Sequence, residues 1–111
     1  MIVRAWRGYG AASEGEAYPR YLLQSVRPKL EQLPGFQGLY LLRRQGMEEI
    51  EFLVLTLWES MEAIRAFAGD QPELARYYPE DDKYLLQRPK HVEHHTVVAS
   101  QVQVPLVRAG S

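Results

Sequence analysis

The 111-residue sequence predicts an α+β domain of order β-α-β-β-α-β, a ferredoxin-like unit with helices on one face of a four-stranded antiparallel sheet. Three observations carry that expectation. Tyr18, Tyr21, Leu22, Val26, Leu30 and Leu33 keep the three-and-four spacing of an amphipathic helix. Two apolar runs, 36–44 and 50–58, flank "QGMEE", the pattern of a hairpin with Gly46 in its loop. Directly after the hairpin, Met61, Ile64, Phe67 and Ala68 form a second helical stripe.

The first strand is expected over 2–7, with Ile2, Arg4 and Trp6 on one face and Val3, Ala5 and Arg7 on the other. Gly8 and Gly10 should end it. A polar stretch leads into the first helix, 16–33, where Pro28 removes a backbone donor and predicts a kink or a division. "LPGFQG", 33–38, stops that helix: Pro34 presets φ, and Gly35 takes the positive φ that follows.

The third strand is apolar on both sides, with Phe52, Val54 and Trp58 on one and Leu53, Leu55 and Leu57 on the other. An antiparallel strand often keeps one wet face. Helices cover one side here, and no element of the chain remains for the other, so a second copy is the expected cover: a homodimer. Ser60 suits the N-cap of the second helix, with Glu59 and Glu62 near its positive end.

Gly69 should break that helix, and Asp70 with Glu73 resembles a capping box for a short helix over 71–77. "YYPEDDKYLL" predicts an acidic turn and another helical piece. The last strand is expected over 91–99. Residues 1–99 thus make one domain. The remainder, 100–111, alternates Val102, Val104 and Leu106 around Pro105, which suits only an edge strand, at the dimer seam.

Thirteen Lys and Arg oppose fourteen Asp and Glu, a net charge of −1, which lacks the basic footprint of a nucleic-acid binder. With no cysteine, disulfides and thiolate metal sites are excluded. "MIVRAWRGYG" has no long apolar core of a signal peptide. The apolar stretch from Phe52 to Trp58 falls far short of the ~20 residues of a membrane span. A cytoplasmic protein with neither nucleic-acid nor membrane partner is expected.

Chemistry-bearing residues are few. His94 and His95 must point to opposite faces of a strand, and His91 lies roughly 13 Å from His95 along it, so no metal is expected. Arg4, in mid-strand, needs a partner if buried; Glu51 or Glu93 is one candidate and a ligand anion the other. Trp58 can be a core wedge or a cleft wall, and Tyr77 and Tyr78 can pack in the core or face a flat aromatic ligand. Within "PEDD", 79–82, a solvated helix start competes with a hard-cation site that lacks the spacing of a calcium loop. No phosphate loop, nucleophile elbow or dinucleotide fingerprint is present, so no nucleotide cofactor is expected.

The element order and six short pieces together resemble the antibiotic-biosynthesis monooxygenase superfamily: "VRAWRG" at 3–8, "PGFQG" at 34–38, "EFLVLTLWES" at 51–60, "AIRAFAG" at 63–69, "YYPED" at 77–81 and "VEHH" at 92–95. The resemblance covers 1–98 and is similar to an uncharacterised bacterial branch. It implies a dimeric α/β barrel, two sheets closed face to face, with a cleft in each subunit between sheet and helices. It also implies cofactor-free oxygenation of a phenol or quinol, with His94 as proton acceptor, Arg4 as anion stabiliser, and Trp6, Trp58, Phe67 and Tyr77 as walls.

The haem-degrading branch of that family uses an Asn on the first strand and a Trp and an axial His after the third. Those places hold Trp6, Phe67 and Tyr77 here, and none matches. A non-catalytic small-molecule binding module, or a cofactor-free isomerase or lyase using the same cleft, stays open beside the oxygenase reading.

Overall fold

The computed structural model describes residues 1–103. It has the expected order of elements: β1 (Ile2–Ala11), a first helical layer, β2 (Phe36–Gln45), β3 (Glu49–Trp58), a second helix and β4 (Glu93–Thr96). The four strands form one antiparallel sheet in the order β2-β3-β1-β4, with β1 and β3 paired from Ile2↔Trp58 to Ala11↔Glu49. The chain is therefore the α+β, ferredoxin-like unit that its patterning predicts.

β1 is longer than expected. Gly8 and Gly10 do not end it, because the ladder to β3 continues through both. Gly8 instead makes room: a methyl group there would lie 2.2 Å from the far edge of the Trp6 indole, which rests across it.

The first helical layer is divided, as Pro28 requires, into α1 (Ala17–Tyr21), a five-residue π segment (Leu22–Val26) and α2 (Arg27–Glu31). The wider turns stand immediately before Pro28, where an ordinary α turn would set the ring against the carbonyl four residues back. Gly35 takes φ 83° in the turn that follows. After β3, Ser60 caps α3 (Met61–Ala68), its Oγ accepting from the Ala63 N–H at 3.2 Å.

The segment from Asp70 to Tyr78 forms no helix, contrary to the capping-box expectation. Its backbone groups are used elsewhere. Ala75 N–H donates to the Lys90 carbonyl, Val92 N–H donates to the Glu73 carbonyl, and the carbonyls of Pro72 and Leu74 accept from Arg4. Those cross-links leave no ladder for a helix. The "PEDD" stretch forms a short 3₁₀ turn, Pro79–Lys83. β4 spans only four of the nine residues expected, since the chain on its N-terminal side is engaged with 73–75. In the tail, 100–103 belong to no strand, and the rest of the expected edge strand lies outside the described residues.

The core lies between the sheet and the helices. Ile50, Phe52, Val54, Thr56 and Trp58 point into it, and Ile50, Phe52, Trp58 and Ile64 are fully buried. On the reverse face, Leu53, Leu55 and Leu57 are only half-buried, beside the exposed Tyr40 and Leu42 of β2. This apolar face has no cover within the described chain. Among the described residues no helix is long and apolar enough to cross a membrane.

Candidate functional site

Strand parity sends Arg4 and Trp6 of β1 and Val54 and Thr56 of β3 toward the helices. There they floor a cavity of about 80 Å³, roofed by Tyr18 of α1, Phe67 of α3 and Tyr77, Tyr78 and Asp81 of the segment before β4. Aromatic rings and aliphatic side chains share its lining. Trp6 and Tyr77 meet edge to face, and the Trp6 indole N–H donates to the Tyr77 hydroxyl at 2.9 Å, which donates in turn to the Pro89 carbonyl.

Arg4 is the buried cation of this cavity, 5 % exposed. Neither Glu51 nor Glu93 pairs with it: Glu51 lies on the opposite face and accepts from Arg7 and Arg44. Its guanidinium donates instead to the Pro72 and Leu74 carbonyls, and approaches His94 Nε2 at 3.1 Å. Burial lowers its pKa to about 10, so it stays charged at neutral pH. Two guanidiniums approach the Phe67 ring, Arg4 at 5.7 Å and Arg76 at 5.2 Å from its centroid.

His94 is the β4 partner of Arg4 in the sheet register, yet its side chain is not among those lining the cavity. An arginine only donates, so His94 Nε2 must be the unprotonated nitrogen, and the neutral ring carries its proton on Nδ1. Burial and then the Arg4 charge lower the His94 pKa, against a smaller opposing pull from Glu73. The lone pair that a base would use is thus turned toward a permanent cation. Here His94 holds Arg4 rather than facing a ligand.

Of the expected wall residues, Trp6, Phe67 and Tyr77 line the cavity and Trp58 does not. Trp58 is wholly enclosed, stacked on Phe67 at 5.4 Å and set edge-on to Phe36 at 5.3 Å. Its N–H is satisfied by Thr56 Oγ1 at 2.8 Å. Its place at the strand-to-helix junction serves packing, as a large ring with one polar atom to satisfy demands.

Two contributions escaped the sequence. Tyr18 reads there only as one member of a helical stripe. Asp81 reads as a solvated acid, but it is 5 % exposed and part of the cavity wall. Its Oδ2 accepts the Tyr78 backbone N–H at 2.6 Å. Burial pushes the Asp81 carboxyl up, against the pull of the Tyr78 N–H and the Tyr21 hydroxyl. The phenols of Tyr18 and Tyr21 are in turn raised by burial and by the neighbouring Asp81. Its signal in the sequence was the spacing of Tyr77, Tyr78 and Asp81, which brings aromatic rings and a carboxylate into one turn. Among the described residues no cluster of His, Asp and Glu could hold a metal ion.

The family model described as antibiotic biosynthesis monooxygenase matches residues 2–72. No curated protein matches the sequence. Among solved structures, a haem degrader from Mycobacterium tuberculosis with two haems bound in its active site is 25% identical, with TM-score 0.62 over 92% of this chain and 100% of that one. A monooxygenase from Streptomyces coelicolor in complex with nanaomycin D is 14% identical, with TM-score 0.60 over 93% and 92%. A protein of unknown function from Nitrosomonas europaea is 16% identical, with TM-score 0.58 over 94% and 95%. The last two likenesses concern the fold alone.

The residues here do not fit haem. No histidine lines the cavity among the described residues, and the Tyr77 hydroxyl is committed to Trp6 and Pro89. A cavity of about 80 Å³ is also far below the ~300–1,000 Å³ of ordinary ligand pockets.

Proposed function

Since this chain belongs to the antibiotic biosynthesis monooxygenase family, we propose that its cleft binds a small planar phenol or quinol and oxidises it with dioxygen, without a bound cofactor. One observation carries this reading: an aromatic-walled cavity whose floor holds a buried, charged guanidinium, Arg4. The rings of Trp6, Tyr18, Phe67, Tyr77 and Tyr78 on its lining suit a flat ligand. The cation suits the anion that forms when the ligand loses its hydroxyl proton. Two carbonyls and His94 fix the guanidinium, so little reorganisation is needed as charge develops.

The reaction balances simply. The phenolate passes one electron to dioxygen, and the radical pair recombines at a ring carbon. Loss of water then leaves a quinone that keeps one oxygen atom. The chain excludes water, orients the ring and stabilises the anion. The resting cavity is smaller than the ~150 Å³ that accommodates benzene, so entry must displace a wall.

We further propose a homodimer closed through the reverse face of the sheet, where Leu53, Leu55 and Leu57 lie half-buried beside Tyr40 and Leu42. An apolar sheet face of this kind marks an interaction surface.

Oxygen uptake with a panel of quinols, together with mass spectrometry of small molecules retained on purification, tests the function. Oxygen consumption matched by quinone formation is expected. A retained aromatic molecule with no oxygen uptake from any quinol would replace the oxygenase with a binding module.

A further inference from the structure

We propose that Asp81, not His94, exchanges the proton with the ligand: its carboxylate takes the hydroxyl proton of a phenol bound in the cavity. The inference rests on the phenol-binding reading above and adds to it the identity of the base. Three observations converge on it. Asp81 is almost wholly buried, yet its side chain belongs to the cavity wall. Its position is set by two donors: Oδ2 accepts the Tyr78 N–H at 2.6 Å within the 3₁₀ turn Pro79–Lys83, and the Tyr21 hydroxyl bonds the same carboxyl, which leaves further lone pairs for a ligand proton. The other acid–base candidate is spent, because the free lone pair of His94 faces Arg4 and its ring is not on the lining.

A carboxylate enclosed among the rings of Tyr18, Tyr77 and Tyr78 carries a charge that its surroundings disfavour. That cost is relieved when the carboxylate accepts a proton. The charged side chains that bear on Asp81 itself are Asp82, which disfavours its charge, and Arg88, which favours it. Transfer therefore moves the charge from Asp81 to the ligand oxygen. The phenol O–H bond breaks, the carboxyl O–H bond forms, and no electron changes hands. Burial of the carboxylate favours this direction, so the cavity makes a phenolate without a histidine.

The test uses 4-nitrophenol as probe and the full chain. In mildly alkaline buffer the free probe is already the phenolate, so its binding should draw one proton from solution onto Asp81. Calorimetry in buffers of different ionisation enthalpy counts that proton. Asp81→Asn keeps an oxygen for the Tyr78 N–H, and should fold, bind the probe and take up none. With a quinol that the wild type oxidises, Asp81→Asn should lower kcat by ~10²–10⁴-fold, as loss of a general base does. His94→Gln should leave the proton count unchanged.

Probe binding without proton uptake in the wild type, or with equal uptake in Asp81→Asn, would overturn the role of Asp81 while the phenol-binding reading stood. A wild type that binds no phenol would remove both.

Discussion

Replacing Gly8 by alanine should dislodge one wall of the cleft without touching its chemistry. An added methyl would sit 2.2 Å and 2.4 Å from two ring atoms of Trp6, whereas ordinary contact begins at 3.4 Å. The indole must therefore retreat by about 1.2 Å at its far edge. β1 cannot yield instead, because it is paired on both sides, with β3 along its whole length and with β4 at its start. Overpacking of this kind costs ~1–3 kcal/mol, and tilting the indole N–H off the Tyr77 hydroxyl forfeits a further ~0.5–1.5 kcal/mol. Lower backbone freedom in the unfolded chain returns ~0.5–1 kcal/mol. The net loss is about 0.5–4 kcal/mol, centred near 2, or roughly 10 °C in Tm for a domain of this size.

The chain has two tryptophans, so an amide correlation spectrum shows two indole N–H signals. The signal of Trp6 should move and that of Trp58, held by Thr56 and packed against Phe36 and Phe67, should not. Ligand affinity should fall in parallel. If both signals and the affinity match the wild type, Trp6 does not wall the binding site in the way described.

Leu55→Asp on the uncovered face should shift the protein in light scattering from a dimer to the 12.8 kDa chain, whereas Val54→Asp, on the buried face of the same strand, should unfold it. A 12.8 kDa wild type at micromolar concentration would exclude the dimer. Haem at one equivalent should give no sharp Soret band; a sharp band abolished by Tyr77→Phe would show that Tyr77 can leave its partners and ligate iron. Asp81 is raised above 3.8 in the folded state, so the folded chain binds its proton more readily than the unfolded one. Its stabilising contribution is therefore full below 3.8 and is lost as pH rises through the folded value. Asp81→Asn should be at least as stable as the wild type at neutral pH by urea unfolding, with the difference shrinking toward acid pH. A variant clearly less stable at neutral pH would mean that the ionised carboxylate supports the fold.

The sheet was legible because its information is local and periodic. β3 alternates without a break, and its two apolar faces announce both the core and the bare surface. The hairpin, the Ser60 cap and the Gly35 turn each rest on residues within a few positions of one another. The segment 70–92 was not legible for the opposite reason. Its capping-box pattern is real as a local signal, but its carbonyls are claimed from far along the chain by Arg4 on β1, and its amides by 73 and 90 across the loop. A helix over 71–77 would need those same groups, and the long-range partners win because they also bury Arg4.

The same division runs through the site. Strand parity alone places Arg4 and Trp6 on one face, and the hydrogen-bonded register alone sets His94 beside Arg4. What register does not convey is direction of use. His94 was expected to take a ligand's proton because the family resemblance singles it out among the histidines. Yet a neutral imidazole has one acceptor, and here a guanidinium occupies it. On the proposed reading, a base must then come from elsewhere on the lining, and among the described residues the lining carries one carboxylate, Asp81, from the segment whose local pattern was misleading. The cleft thus joins a strand-borne cation to a loop-borne acid. The bond from Arg4 to the Pro72 and Leu74 carbonyls, which cancelled the expected helix, is also what ties that loop over the sheet that carries Arg4. Arg4 therefore has a double role, as anchor of the roof and as charge on the floor, and its substitution should weaken stability and anion binding together. Asp81→Asn should separate them, because asparagine keeps an oxygen for the Tyr78 N–H and a polar group for the Tyr21 hydroxyl while it can no longer take a proton.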